Sequence, residues 1–422
     1  MSWLLAIFGL LCLAVALSGL WPPRNPAWLR MPGFFAGWLA SELPLHGLAV
    51  AVLGCAALSA GGGLDAWPGR LGLGACGVAG LIGIDLARRQ RGAGEVLEAG
   101  LVEGLGEDYR ASISADWAAA LDEPIEAARV LFPLGFRDPR VERISDLAYG
   151  PHGERNQLDL YRPAAGARDC PVLLQVHGGA WTYGQKEHQA LPLLYHLAAH
   201  GWVCVSANYR LSPAATFPEH LIDVKRAIAW IREHGPEYGA DPSYIAVTGG
   251  SAGGHLAALA ALTPGDPEYQ PGFENVDTSL QACIPFYAPF DLVDRHSIQN
   301  DDGMERLIAE QFLKRPLAEA SDAWERGSPI ARLHPGAPPF FVVHGALDSL
   351  AYVEGTHHFL EAFRASGAPS LAYAELPGAQ HAFEVFNGLR GQHSARAVLR
   401  YLAYQLSVAR AAAPTAAGTG AC

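Results

Sequence analysis

Charge is scarce in this sequence, and basic charge scarcest: 17% of the 422 residues are charged, with 30 Lys+Arg against 42 Asp+Glu. A net charge of −12 excludes a nucleic-acid binder held by bulk positive charge, and 50% hydrophobic residues exclude a disordered chain. No CxxC or CxxH spacing occurs, and the cysteines, Cys12, Cys55, Cys76, Cys170, Cys204, Cys283 and Cys422, are scattered and odd in number. That excludes a disulfide framework or zinc site read from spacing and leaves small buried hydrophobes as the simple reading. A basic leader is also missing: Met1-Ser2-Trp3 has no side-chain charge, which argues against a cleaved signal peptide.

The charge that is present is unevenly spread. Six arginines against three acids leave residues 1–91 at +3, so the remaining 331 carry −15. Residues 2–23 hold no charge and are bracketed by Trp3 and Trp21; residues 43–64 are a second uncharged stretch, and 71–84 a third that reaches spanning length if extended to 67–87. We read residues 1–91 as a transmembrane region of about three helices, with two spans as the alternative. Arg24 and Arg30 follow the first stretch and Arg88, Arg89 and Arg91 the third, which predicts a multi-pass cell-membrane protein with its body on the cytosolic side. Gly72-Leu-Gly-Ala-Cys-Gly77 matches the dinucleotide pattern GxGxxG, but no strand precedes it, and packing between membrane helices explains it better.

Residues 92–144 read as a helical connector or cap, with helices expected over 96–107 and 116–130. From 145 to 408 short apolar strands (157–161, 172–176, 203–207, 244–248, 282–287, 340–344, 371–375) alternate with helices (191–200, 220–234, 254–262, 353–366, 395–406). This predicts an α/β fold: a mostly parallel central sheet covered by helices on both faces, with chemistry at the carboxyl ends of the strands. A charged interruption near 292–337 is expected to be a lid-like insertion, and 409–422 a disordered tail.

One GxSxG occurs, Gly249-Gly250-Ser251-Ala252-Gly253, running from a strand into a helix as a nucleophile elbow requires. A serine hydroxyl needs a base to take its proton and N–H donors for the oxyanion. His177-Gly178-Gly179-Ala180-Trp181 follows an apolar strand, so the backbone N–H groups of Gly178 and Gly179, with that of Ala252, are the expected donors. Among sixteen histidines, His381 is the expected base because it lies in a loop after the last strand; His177, His255 and His344 read as structural. Asp348 lies between serine and histidine at a strand end and is the expected orienting acid, with Asp291 as its rival. No metal or organic cofactor is required by this chemistry.

These residues resemble the hormone-sensitive-lipase-like esterases of the α/β-hydrolase superfamily, including membrane-anchored bacterial lipases and esterases, with some likeness to isoprenylcysteine methylesterases. The resemblance covers roughly 145–408 and rests on HGGAW at 177–181, SANYRLSP at 206–213, GGSAGGHLA at 249–257, HGALDSL at 344–350 and GAQHAF at 378–383. It implies a membrane-anchored serine carboxylesterase or lipase acting on small-molecule or lipid esters through an acyl-enzyme. The alternatives are an amidase or deformylase on the same triad, or an inactive hydrolase-fold binding protein. Four positions depart from the family's pattern: Ala180 replaces a third glycine, Gly250 an acid before the nucleophile, Asn208 a common Asp, and Tyr352 a second acid.

Overall fold

The computed structural model describes residues 1–299 and 301–412; residues 413–422, most of the expected tail, lie outside the described residues. The uncharged N-terminal stretches fold as α1 (Ser2–Leu20), α3 (Pro44–Leu58), continued by a π-helical turn to Gly63, and α4 (Trp67–Arg91). Three stretches, Ser2–Leu20, Pro44–Gly63 and Trp67–Leu105, are long and apolar enough to cross a membrane. α1 and α4 run parallel and nearly touch: a Cβ on Gly9 would overlap the Gly72 carbonyl, and Gly19 meets Leu86. Of the GxGxxG look-alike, Gly72 serves this close packing, whereas a Cβ on Gly74 or Gly77 would meet nothing within 4 Å. Gly83 of α4 faces Pro44, so α3 runs antiparallel, and Leu20, Pro44 and Arg91 share one end of the bundle.

Between α1 and α3 lies α2 (Ala27–Glu42), which the sequence pattern does not announce. Pro32, Gly33 and Gly37 give it poor intrinsic propensity, and it is held by packing instead. α5 (Ala93–Leu105) follows α4. The single helix expected over 116–130 is two short ones, α6 (Ala118–Leu121) and α7 (Ala127–Leu131), because Pro124 cannot sit in a helix interior.

The eight strands are β1 (Val141–Ala148), β2 (Gln157–Pro163), β3 (Cys170–Val176), β4 (Val203–Ala207), β5 (Ala240–Gly250), β6 (Ala282–Phe286), β7 (Phe340–Gly345) and β8 (Leu371–Leu376). Their order is β1-β2-β4-β3-β5-β6-β7-β8, with β1 and β2 antiparallel to their neighbours and the rest parallel. All seven expected strands are present; β1 is additional, so the sheet begins at 141 rather than within 145–408. The helices are α8 (Leu191–Ala199), α9 (Glu219–His234), α10 (Ala252–Leu262), α11 (Gly303–Leu307), α12 (Leu317–Arg326), α13 (Val353–Ala365) and α14 (Leu389–Ala412). Val172, Leu174 and Val176 of β3 join one apolar core with α9, α10 and α13, while Leu173 joins the other with α5, α8 and α14. That alternation is the pleat expressed as two covered faces.

Candidate active site

The carboxyl ends of β3, β5, β7 and β8 deliver, in turn, the 177–181 loop, Ser251, Asp348 and His381 to one edge of the sheet. Ser251 stands between β5 and α10 at φ 57°, ψ −124°, a conformation L residues avoid and nucleophile elbows use. It caps α10, whose N-terminal dipole favours developing negative charge there. The turn can be this tight because residue 253 is glycine: a Cβ there would overlap the carbonyls of Val176 and His177.

His381 Nδ1 donates to Asp348 Oδ2 at 2.7 Å. Asp348 is fully buried and also accepts from the N–H groups of Leu350 and Ala351, each at 2.8 Å. Burial would raise its carboxyl, but the His381 charge and hydrogen bonds from His344 and His381 hold it well below the usual carboxylate range. Gln380 Oε1 accepts from the N–H groups of Ser349 and His381, both at 2.8 Å, and so clamps the acid loop to the histidine loop. Ser251 Oγ makes no hydrogen bond to His381 among the described residues; in enzymes of this kind that bond is often long until substrate binds.

In the 177–181 loop one of the expected donors is already engaged. The Gly178 N–H donates to Gln189 Oε1 at 2.6 Å and is occupied. Among the described residues the N–H groups of Gly179, Ala180 and Ala252 have no partner in the chain. Gly179 adopts φ 123°, and a Cβ there would overlap Tyr183 O, whereas Ala180 fits at φ 49°.

The competing residues are engaged elsewhere. Asp291 accepts from Arg295 and from the Val293 N–H. His344 is buried, bonded to Thr356 Oγ1 at 2.7 Å and Ala351 O at 2.8 Å, although its Nε2 also lies 3.2 Å from Asp348. His177 stacks on Tyr209, and His255 bonds Gly327 O at 2.7 Å. The expected lid over 292–337 seats Phe312 against Trp181, ring centroids 4.3 Å apart, and so packs on the 177–181 loop. Remote from this edge, Glu123, His196 and His200 bring ligand atoms within 4.8 Å of one another, but Arg396 and Arg140 beside them oppose a cation.

Two residues of the site escaped sequence reasoning. Tyr287 packs on His381, ring centroids 4.5 Å apart, and its hydroxyl donates to Glu384, whose carboxyl burial pushes up to about 7. A Cβ on Gly250 would overlap the Tyr287 hydroxyl, so Tyr287 fills the space an acid before the nucleophile would need. The other departures have local causes too. Asn208 accepts from the Lys186 N–H at 2.8 Å and donates to Glu154 O at 2.9 Å, two roles an aspartate cannot combine. Tyr352 carries the Arg24 guanidinium 4.3 Å over its ring.

Burial, their largest influence, lowers His177 and His255 to about 4 and His220 to about 3. Unfolded, each titrates near 6.5. Between those values the unfolded chain binds more protons, so stability rises with pH there and falls on acidification, by up to about 1.4 kcal/mol per residue per pH unit. Thermal scans in detergent should show Tm dropping steadily from pH 6.5 to pH 4.5; a flat profile would contradict the neutral assignment.

A mostly parallel eight-stranded sheet in this order, with an elbow serine and a His–Asp pair at its carboxyl edge, defines the chain as an α/β-hydrolase. A family model described as BD-FAE matches residues 158–363. The chain is 42% identical over 328 residues to the probable carboxylic ester hydrolase LipM of Mycobacterium tuberculosis, covering 76% of this chain and 74% of that one. It is 42% identical to the esterase LipQ of the same organism, over 74% of each chain. Among solved structures it superposes on a thermophilic esterase from Thermogutta terrifontis with propionate bound, at TM-score 0.51 and 28% identity, over 64% of this chain and 95% of that one. The chain belongs to this family of carboxylic ester hydrolases and acts on ester bonds.

Proposed function

We propose that the protein is a membrane-anchored serine carboxylesterase or lipase working through Ser251, His381 and Asp348. The observation that carries the reading is the 2.7 Å His381–Asp348 hydrogen bond at the edge where Ser251 stands in its strained turn. His381 takes the Ser251 proton as Oγ attacks the ester carbonyl, and the N–H groups of Gly179, Ala180 and Ala252 hold the oxyanion. His381 then protonates the leaving alcohol, and water attacks the acyl-enzyme with His381 again as base. Asp348 keeps the imidazole proton on Nδ1 throughout. Anchoring is supported by three helices of spanning length and apolarity and by five arginines at the body's end of the bundle.

The test uses the full chain expressed in bacterial membranes. The protein should stay in the pellet through a sodium carbonate wash and, after detergent extraction, hydrolyse p-nitrophenyl esters far faster than the matching p-nitroanilides. Release by carbonate would contradict the anchor, and faster anilide cleavage would make the enzyme an amidase.

A further inference from the structure

α2 has two sides in different surroundings. Its inner side closes on the catalytic edge of the sheet. Phe34, 6% exposed, meets His381 edge to face with centroids 6.1 Å apart. Trp38 donates from Nε1 to Ala382 O at 2.8 Å and stacks on Phe386 at 4.7 Å. The flanks are tied to the body as well: Arg24 pairs with Glu354 at 2.9 Å, Arg30 with Asp301, and Glu42 forms a buried pair with Arg390 at 2.7 Å. The outer side carries Trp28, Met31, Phe35 and Leu39, spaced three or four residues apart and 74, 44, 51 and 46% exposed. Such a stripe of large apolar side chains marks a face built to be covered.

The neighbours of α2 say by what. The helix begins seven residues after α1 ends and stops two before α3 begins, so both its termini are fixed at one end of the apolar bundle. His46 Nε2 lies 3.0 Å from Leu131 O, which brings the exposed Leu131, Phe132 and Leu134 level with the first turn of α3. Two separate apolar surfaces therefore sit at the same depth beside helices of spanning length. Aromatic-rich apolar faces at that level suit the boundary between headgroups and acyl chains.

We infer that α2 lies in the membrane interface as one wall of the active site, and that Phe34 is a specificity-determining residue that receives the alkyl chain of an ester drawn from the bilayer. This rests on the Ser251 esterase reading and adds the substrate class: lipid esters whose chain stays in apolar surroundings while the carbonyl reaches Ser251. His381 must come within hydrogen-bond reach of Ser251 Oγ, the atom that becomes bonded to the acyl carbon. A ring packed on His381 consequently meets the chain next to the scissile bond.

The experiment uses the full chain in phosphatidylcholine nanodiscs, with p-nitrophenyl esters from acetyl to dodecanoyl and fluorophosphonate labelling of Ser251 as the control for intact machinery. Phe34→Ala should lower kcat/KM for the dodecanoyl ester by about tenfold more than for the acetyl ester, with labelling retained. Phe34→Leu should recover most of the loss. Phe35→Ser, on the outer face, should weaken dodecanoyl turnover and spare the acetyl ester. Losses equal at every chain length, or no loss in either variant, would overturn the inference. Absence of labelling in the unmodified protein would instead count against the serine esterase reading.

Discussion

Ser251→Ala is expected to reduce turnover of a p-nitrophenyl ester by about 10⁵-fold or more, because it removes the attacking oxygen and leaves only binding and oxyanion donors. The donors of Gly179, Ala180 and Ala252 are backbone groups and survive the change. The fold should survive too. Alanine occupies the turn at φ 57° at the same backbone cost as serine, and Ser251 Oγ makes no hydrogen bond among the described residues whose loss would loosen the core. Kinetics and a thermal scan in one detergent check both halves: activity at background with Tm unchanged. Activity within tenfold of the parent would remove Ser251 from the reaction.

The second large effect is that of Asp348→Asn. The change is nearly isosteric, and the two backbone N–H groups at 2.8 Å will hold the remaining amide oxygen where the carboxylate oxygen was. The amide nitrogen then faces His381 Nδ1, which must accept rather than donate. The imidazole is locked in the tautomer with its proton on Nε2, where it cannot take one from serine. A fall of about 10⁴ in kcat with KM little altered is expected from the wrong tautomer. Steady-state kinetics over a range of ester concentrations separate the two parameters. A loss below tenfold would move the orienting role elsewhere, and Asp291, held by Arg295 at 3.0 Å, would then have to be released to take it.

Much of this was legible in the residues because its signals are local. The parallel strands β3 to β7 are buried along most of their length and read as unbroken apolar runs; the elbow, the HGGA loop and the GAQHAF loop each lie within a few residues of a strand end. β1 was not legible. It is an edge strand, mostly exposed, with a register shift between Ile144 and Leu147, so no apolar alternation marks it. The engagement of the Gly178 N–H was not legible because its partner, Gln189, comes from a separate loop eleven residues on. Tyr287 and Glu384 are 97 residues apart, and only the folded sheet brings them together beside His381.

α2 was hidden for a different reason. Read alone, residues 27–42 are a proline- and glycine-interrupted segment between two hydrophobic stretches, and Arg24 before it and Arg30 within it look like topology signals. Folded, Arg24 and Arg30 also pair with Glu354 and Asp301, and the small residues let the helix settle closely: a Cβ on Gly37 would meet the Ser18 carbonyl. The N-terminal region is packed into the body, since its removal would strip Phe34 from His381 and leave Arg390 without Glu42.

The most direct test of the account is peptide mapping of the full-length protein after reaction with a fluorophosphonate in detergent. One phosphonyl adduct is expected, on Ser251 in the peptide that carries Gly249-Gly250-Ser251-Ala252-Gly253, formed in step with loss of ester turnover and absent from Ser251→Ala. An adduct on any other residue that tracks the loss of activity, or full ester turnover in protein without an adduct-reactive Ser251, would contradict it.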